Sequence, residues 1–401
     1  MGIAIVPPAA PPSSPSAKRP NYVQHSDAKE FKNCGGDRSS TTTLFPQCHS
    51  PRESLRLVQS FLIRSAFRQP EMRLIDVGVF LEREIQMKQG GTVDHDMKSV
   101  LEEHSDTEKA YAILSHRWLD GDEVNYLEIT ELAKMENRDR IRERSGYRKI
   151  VKSCQQAEND GLKWLWVDTC CIDKRSSSEL SETLNSMFRW YENSNKCYAY
   201  LHDADVFPTA PNETSAGSGC WPEWFSRGWT LQELIAPMAL QFFNKDWQAI
   251  GNKRDLATTL EKITRVPFGV LVDGLASYRP SVAQVMSWAA DRRTTRVEDR
   301  AYSLMGLLNV NMPMLYGEGK KAFLRLQQEI IRQSSDQSIF AWKPTDETPQ
   351  TRGMLADDPS LFRDCHDIIQ IPSGEFHLKL SDFWGNGLSS FASLVFSATD
   401  H

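Results

Sequence analysis

No apolar run in this sequence approaches the roughly 18 residues that a membrane-crossing helix needs, so no membrane span is expected. The amino terminus reads Met1-Gly2-Ile3-Ala4-Ile5-Val6 and runs into prolines, without the basic region and long apolar core of a secretory signal. Gly2 follows the initiator, but Val6 stands where acylation of that glycine favours Ser or Thr. Positive charge is not in excess either. The 47 Lys and Arg are outnumbered by 53 Asp and Glu, a net charge of −6, which offers no basic field for nucleic acid. The eight cysteines are scattered and form no CxxC pair, which argues against a zinc knuckle, and no other metal site is expected. Free thiols of this kind suit a reducing compartment, so the cytoplasm is the expected location. A phosphate loop is missing as well: Gly317-Glu318-Gly319-Lys320 lacks the GxxxxGK[ST] spacing and reads as a helix start.

The chain does have enough apolar residues for a sizeable core, 40% of 401, and they are not evenly spread. Residues 1–55 carry eight of the twenty prolines and a Ser39-Ser40-Thr41-Thr42-Thr43 cluster. Such a segment buries too little apolar surface to offset its ordering entropy, and disorder is expected there. A leading strand is expected at Met72–Val77. Short apolar runs follow at Tyr111–Ser115, Trp164–Asp168, Cys197–Leu201 and Leu240–Phe243, the pattern of strands buried on both faces. Between them, Tyr147, Ile150, Val151, Cys154 and Ala157, then Leu180, Leu184, Met187, Phe188 and Tyr191, recur at helical spacing. The alternation predicts an α/β domain over 72–245, with a parallel sheet flanked by helices. A mainly helical region is expected over 246–343 and a weakly specified tail over 344–401.

In open parallel sheets, ligands sit beyond the carboxyl ends of the strands. Ser115-His116-Arg117, Asp168-Thr169-Cys170 and His202-Asp203 all fall at such ends. Asp168 suits either a ribose hydroxyl or a turn cap, and Arg117 suits either a phosphate or a surface acid. Cys170, His116 and Asp168 could be arranged as a thiol nucleophile, although nothing in the spacing requires it. Glu298 and Asp299, next to Arg296 and Arg300, read as a structural ion-pair cluster.

Three blocks carry a family resemblance: Tyr111-Ala112-Ile113-Leu114-Ser115-His116-Arg117-Trp118, Leu165-Trp166-Val167-Asp168-Thr169-Cys170-Cys171-Ile172-Asp173-Lys174, and Arg227-Gly228-Trp229-Thr230-Leu231-Gln232-Glu233-Leu234. In this order they resemble the signature blocks of the fungal heterokaryon-incompatibility (HET) domain. The stretches Thr294–Tyr302 and Met312–Gly319 are similar to that family's downstream region. Leu119-Asp120-Gly121 departs from the family, which usually has Gly directly after the Trp.

The resemblance implies a TIR-like (flavodoxin-like) fold and a role in self/non-self recognition and cell death. Some TIR domains hydrolyse NAD, using a Glu four residues after a Trp, and Trp229-Thr230-Leu231-Gln232-Glu233 matches that spacing. It therefore implies Glu233 as the catalytic residue, with Ser115, Arg117, Trp118, Asp168 and Trp229 around the substrate, NAD as substrate rather than cofactor, and homotypic association or an upstream recognition protein as partner. A carboxylate near the scissile nicotinamide–ribose bond would stabilise the oxocarbenium-like state. The alternative is a scaffold of the same fold that signals by association alone.

Overall fold

The computed structural model describes residues 71–89, 98–105, 109–135, 137–209, 221–344 and 353–369. The Pro/Ser-rich segment 1–55 lies outside the described residues, as does most of 344–401.

One seven-stranded sheet organises the described chain: β1 (Glu71–Asp76), β2 (Leu101–Ser105), β3 (Tyr111–His116), β4 (Trp164–Trp166), β5 (Lys196–Tyr200), β6 (Leu240–Phe243) and β7 (Ala249–Asn252), in the spatial order β2-β1-β4-β3-β5-β6-β7. The four central strands β4, β3, β5 and β6 are parallel, while β1, β2 and β7 pair antiparallel at the two sides. The expected parallel sheet holds for the centre and is corrected to a mixed one by the outer strands. Its parallel centre follows from sequence: every residue of β3 is buried, as covering on both faces demands. The outer strands differ. β2 reads Leu-Glu-Glu-His-Ser with one buried residue, and β7 pairs through an irregular register, both features that blunt an exposed edge.

Helices α1 (Val77–Lys88), α2 (Tyr126–Glu131), α3 (Arg138–Arg142), α4 (Ser145–Asn159), α5 (Ser177–Glu192) and α6 (Thr230–Ile235) connect the strands. Successive strand residues point to opposite faces. Ser115 meets Glu233 of α6, whereas the next residue, His116, faces Glu123, which is paired with Lys149 of α4. Helices α4 and α6 thus cover opposite faces, with α1 packed on α4 and α5 on α6.

The downstream helices are α7 (Ala257–Thr264), α8 (Phe268–Asp273), α9 (Leu275–Tyr278), α10 (Val282–Ala289), α11 (Asp299–Tyr302) and α12 (Lys321–Gln333). In α12, Ala322, Phe323, Leu326, Gln327 and Ile330 form the buried stripe. Helix α10 is buried along its length and packs against the short turns Gln337–Phe340 and Pro359–Phe362. This region braces α6. Gly228 N donates to Arg293 O at 2.8 Å and Arg293 N to Ser226 O at 2.6 Å. A side chain at Gly228 would come within 2.5 Å of Thr294, so this approach requires glycine.

Arg296 lies close enough to Glu298 and Asp299 for its charge to act on both, but neither acid forms an ion pair with Arg296 or Arg300 among the described residues. Glu298 accepts from the Gly317 and Gly319 amides, Asp299 from the Tyr316 hydroxyl, and Arg300 pairs with Asp358. The Glu298 contacts hold the Gly317–Gly319 turn that leads into α12. No helix among the described residues is long and apolar enough to cross a membrane.

Candidate functional site

The parallel strands, taken from β4 across to β6, run second, first, third, fourth in chain order. The chain goes from β3 to one side and then crosses to the other, so a crevice opens at the carboxyl ends of β3 and β5. Ser115 and His116 end β3, and His202 and Asp203 follow β5.

Glu233 lies on the Ser115 side. Its side chain is buried, with 4% of the residue exposed, and its Oε2 accepts from Ser115 Oγ at 2.5 Å. Ser115 Oγ in turn accepts from Trp224 Nε1 at 2.8 Å. The Tyr191 hydroxyl closes the group and donates to Leu114 O at 3.1 Å. Burial, helped by the negative charge of Asp168, pushes the Glu233 carboxyl up to about 8, against the opposing bonds from Ser115 and Tyr191. At neutral pH this acid is mostly protonated.

Arg292 is buried nearby. Its Nη1 donates to Arg227 O at 2.8 Å and to Thr230 Oγ1 at 3.1 Å, while Nη2 has no hydrogen-bond partner. Burial pushes this guanidinium down to about 9, and Glu233 works against that fall. A buried acid and a buried base thus lie close together without forming an ion pair.

The opposite face carries a second polar group. His116 is buried with neither ring nitrogen hydrogen-bonded, its Nε2 3.5 Å from Glu123 and 3.9 Å from Asp168. Burial opposes ionisation of Glu123, but His116 and Lys149 outweigh it and hold the carboxyl at about 2. Trp118 Nε1 donates to Asp168 Oδ2 at 2.7 Å, and Oδ1 has no hydrogen bond. Thr169 Oγ1 and Gln232 Nε2 are also buried without a partner. Each such group costs about 1–3 kcal/mol if left unsatisfied, which marks the strand ends as a place shaped for a ligand or water.

The six residues expected at the site therefore fall into four places. Ser115 and Glu233 bond to each other, and Trp118 bonds to Asp168. Arg117 pairs with Glu223 at 2.6 Å. Trp229 is half-buried at the start of α6, where its indole bonds Asp299. The aromatic beside the Ser115–Glu233 pair is Trp224, which sequence spacing did not single out, and Tyr191 and Arg292 were missed as well. Cys170 is fully buried, its thiol pushed up by burial and by Cys171, and its sulfur faces the Val167 carbonyl rather than His116. That geometry gives the thiol-nucleophile arrangement no support. His202, Asp203 and Glu223 offer ligand atoms within 4.8 Å of one another, the one such grouping among the described residues. The Arg117 guanidinium already pairs with Glu223 there, so the group reads as an ion-pair cluster.

Comparison with known proteins adds a family likeness. Residues 111–215 match the model described as heterokaryon incompatibility protein (HET), and residues 321–367 match a domain of unknown function, DUF8212. The chain is 43% identical over 229 residues to the vegetative incompatibility protein HET-E-1 of Podospora anserina, covering 55% of this chain and 16% of that protein. It therefore spans about one sixth of the length of the curated relative it matches. No solved structure matches.

Proposed function

We propose, from the premise that this chain carries a HET domain, that it is an effector of fungal self/non-self recognition which acts by cleaving NAD at the Ser115–Glu233 site. One observation carries the catalytic half of this reading. A buried carboxyl is held by a serine at the carboxyl end of the first parallel strand, where a flavodoxin-like strand order opens its crevice. The relative's name speaks of vegetative incompatibility, which supports the biological half.

The chemistry needs little from the protein. The bond between ribose C1′ and the nicotinamide nitrogen breaks with its electron pair going to the pyridinium ring, so nicotinamide leaves neutral. C1′ becomes oxocarbenium-like, and a carboxylate beside it stabilises that charge. Water then adds at C1′ and loses a proton, giving ADP-ribose. In the closed arrangement Glu233 is protonated and covered. Activation on this reading is a shift of α6 that exposes and ionises it, with Arg292 close enough to steady the new charge. Homotypic association or an upstream recognition protein would supply that shift.

The burial of Glu233 favours a second reading, in which the Ser115–Glu233 pair is a structural bond and the domain signals by association alone. Inducing the wild-type chain and Glu233→Gln in yeast, with NAD and growth both followed, separates the two. Loss of NAD and growth arrest with wild type only supports cleavage. Arrest with both proteins at unchanged NAD sinks it in favour of the scaffold.

A further inference from the structure

The other face of β3 carries a cavity that the reaction at Glu233 leaves unused. Its volume is about 360 Å³, and its lining includes Trp118, Glu123, Glu128, Arg144, Thr169 and Lys174. We propose that this cavity binds the adenylate half of the dinucleotide: the base against Trp118, a ribose hydroxyl on Asp168, and the phosphate between Lys174 and Thr169. The assignment rests on the NAD reading for the identity of the whole ligand, but its geometry stands apart from Glu233.

Each contact has an unused group behind it. Trp118 is 42% exposed, large and flat, and its ring is fixed in place because its Nε1–H is committed to Asp168 Oδ2. Asp168 Oδ1 is buried without a hydrogen bond, 3.9 Å from His116 Nε2, a carboxylate oxygen at the end of a parallel strand suited to accept from a ribose hydroxyl. Thr169 is 2% exposed, lines the cavity, and its Oγ1 has no hydrogen-bond partner. The Lys174 ammonium lies 3.6 Å from the centroid of the Trp118 ring and forms no ion pair among the described residues.

Of the two cations in the lining, Arg144 is taken by Glu128, whereas Lys174 has no ion pair among the described residues. Glu123 is paired with Lys149 and Glu128 with Arg144, so two of the acids at the cavity are already neutralised. Asp120 remains, and it is exposed. Lys174 is left as the cation free to turn from the indole to a phosphate. A cavity of this size fits a mononucleotide better than a complete dinucleotide, and Asp168, behind the lining and bonded to Trp118, links it to the Glu233 side, whose carboxyl feels the Asp168 charge.

Titration calorimetry on the full chain with AMP, adenosine and ADP-ribose tests the assignment. AMP and ADP-ribose should bind, and adenosine should bind about tenfold more weakly because the charge-assisted phosphate bond is lost. Lys174→Ala should remove the difference between AMP and adenosine. Trp118→Ala should weaken all three ligands by about tenfold or more. Circular dichroism of each variant confirms that it is folded. A wild-type chain that ignores AMP at millimolar concentration overturns the proposal, as does a folded Lys174→Ala protein that still prefers AMP over adenosine. The two readings can fail separately. AMP binding without NAD cleavage removes the reaction and keeps the subsite, and cleavage without AMP binding does the reverse.

Discussion

Two buried glutamates, Glu84 on α1 and Glu233 on α6, occupy opposite electrostatic worlds. Glu84, 5% exposed, accepts two bonds from Arg142 at 3.0 Å each and one from the Tyr147 hydroxyl at 2.7 Å. Burial works to raise its pKa, but Arg142 and Tyr147 win, and the carboxyl stays below the usual range. Glu233 is as little exposed, lies deeper in the protein and receives hydroxyls only, so burial wins and its pKa rises. The two side chains are equally shielded from solvent, but Glu233 lies deeper in the protein, so a larger burial penalty and the lack of a cationic partner together reverse the sign. The Glu84 cluster ties α1, α3 and α4 together, whereas the Glu233 group keeps an acid in reserve.

Breaking the satisfied region should cost most. Arg142→Ala leaves the Glu84 carboxylate buried without its main partner and should destabilise the chain by about 3–5 kcal/mol in chemical denaturation. The pH dependence has a definite sign. A depressed folded pKa contributes stability that is present above the unfolded value of 4.5 and is lost as pH falls through the folded value. Glu84→Gln should therefore flatten the acid side of a plot of melting temperature against pH.

The same substitution at Glu233 should do the opposite. Its folded pKa, about 8, lies above the unfolded 4.5, so the folded chain keeps a proton that the unfolded chain releases. Stability contributed this way is complete below the unfolded pKa and is lost as pH rises from 4.5 to 8, by about 1.4 kcal/mol per pH unit. Glu233→Gln should melt higher than wild type at pH 8, with the gap closing toward pH 5. Parallel melting curves for the two proteins would mean that the carboxyl is ionised and paired, and would remove the contrast with Glu84.

Lys253 offers a smaller perturbation of the same region. Its buried ammonium donates to the carbonyls of Leu234 at 3.2 Å, Ile235 at 3.3 Å and Pro237, capping the carboxyl end of the helix that carries Glu233. Lys253→Met keeps the volume and strands those carbonyls, at an expected cost of about 2 kcal/mol by calorimetry. On the NAD-cleavage reading the loosened α6 should also make the Glu233 proton exchange faster by NMR.

The two regions also differ in how far the sequence reveals them. The central strands were legible because burial on both faces leaves a continuous apolar run, as in Tyr111–His116. The outer strands β2 and β7 were not, because an edge strand is defined by its neighbour and carries little apolar signal of its own, one buried residue in β2 and none in β7. Ser115 and Glu233 were both identifiable through family blocks, yet their bond joins residues 118 apart, and no local spacing encodes it. Trp224 and Tyr191 read as ordinary core aromatics, and Arg292 as one of many arginines. What makes them notable is a missing partner or a shared acid, which only the folded chain exhibits.

Arg117 gives the smallest expected effect on stability and for that reason the cleanest test of function. Its pair with Glu223, at 2.6 Å, joins side chains that are 31% and 51% exposed, where solvent and salt weaken the attraction. Arg117→Ala should cost less than about 1 kcal/mol, and less still at high salt. The same residue follows His116 at the carboxyl end of β3, where a phosphate of the substrate would pass on the proposed reading. A change in NAD turnover or in ADP-ribose affinity of tenfold or more, in a variant whose melting temperature barely moves, must then come from lost ligand contact. Equal small changes in stability and binding would assign Arg117 to the surface ion-pair cluster and shrink the substrate site to the two faces of β3.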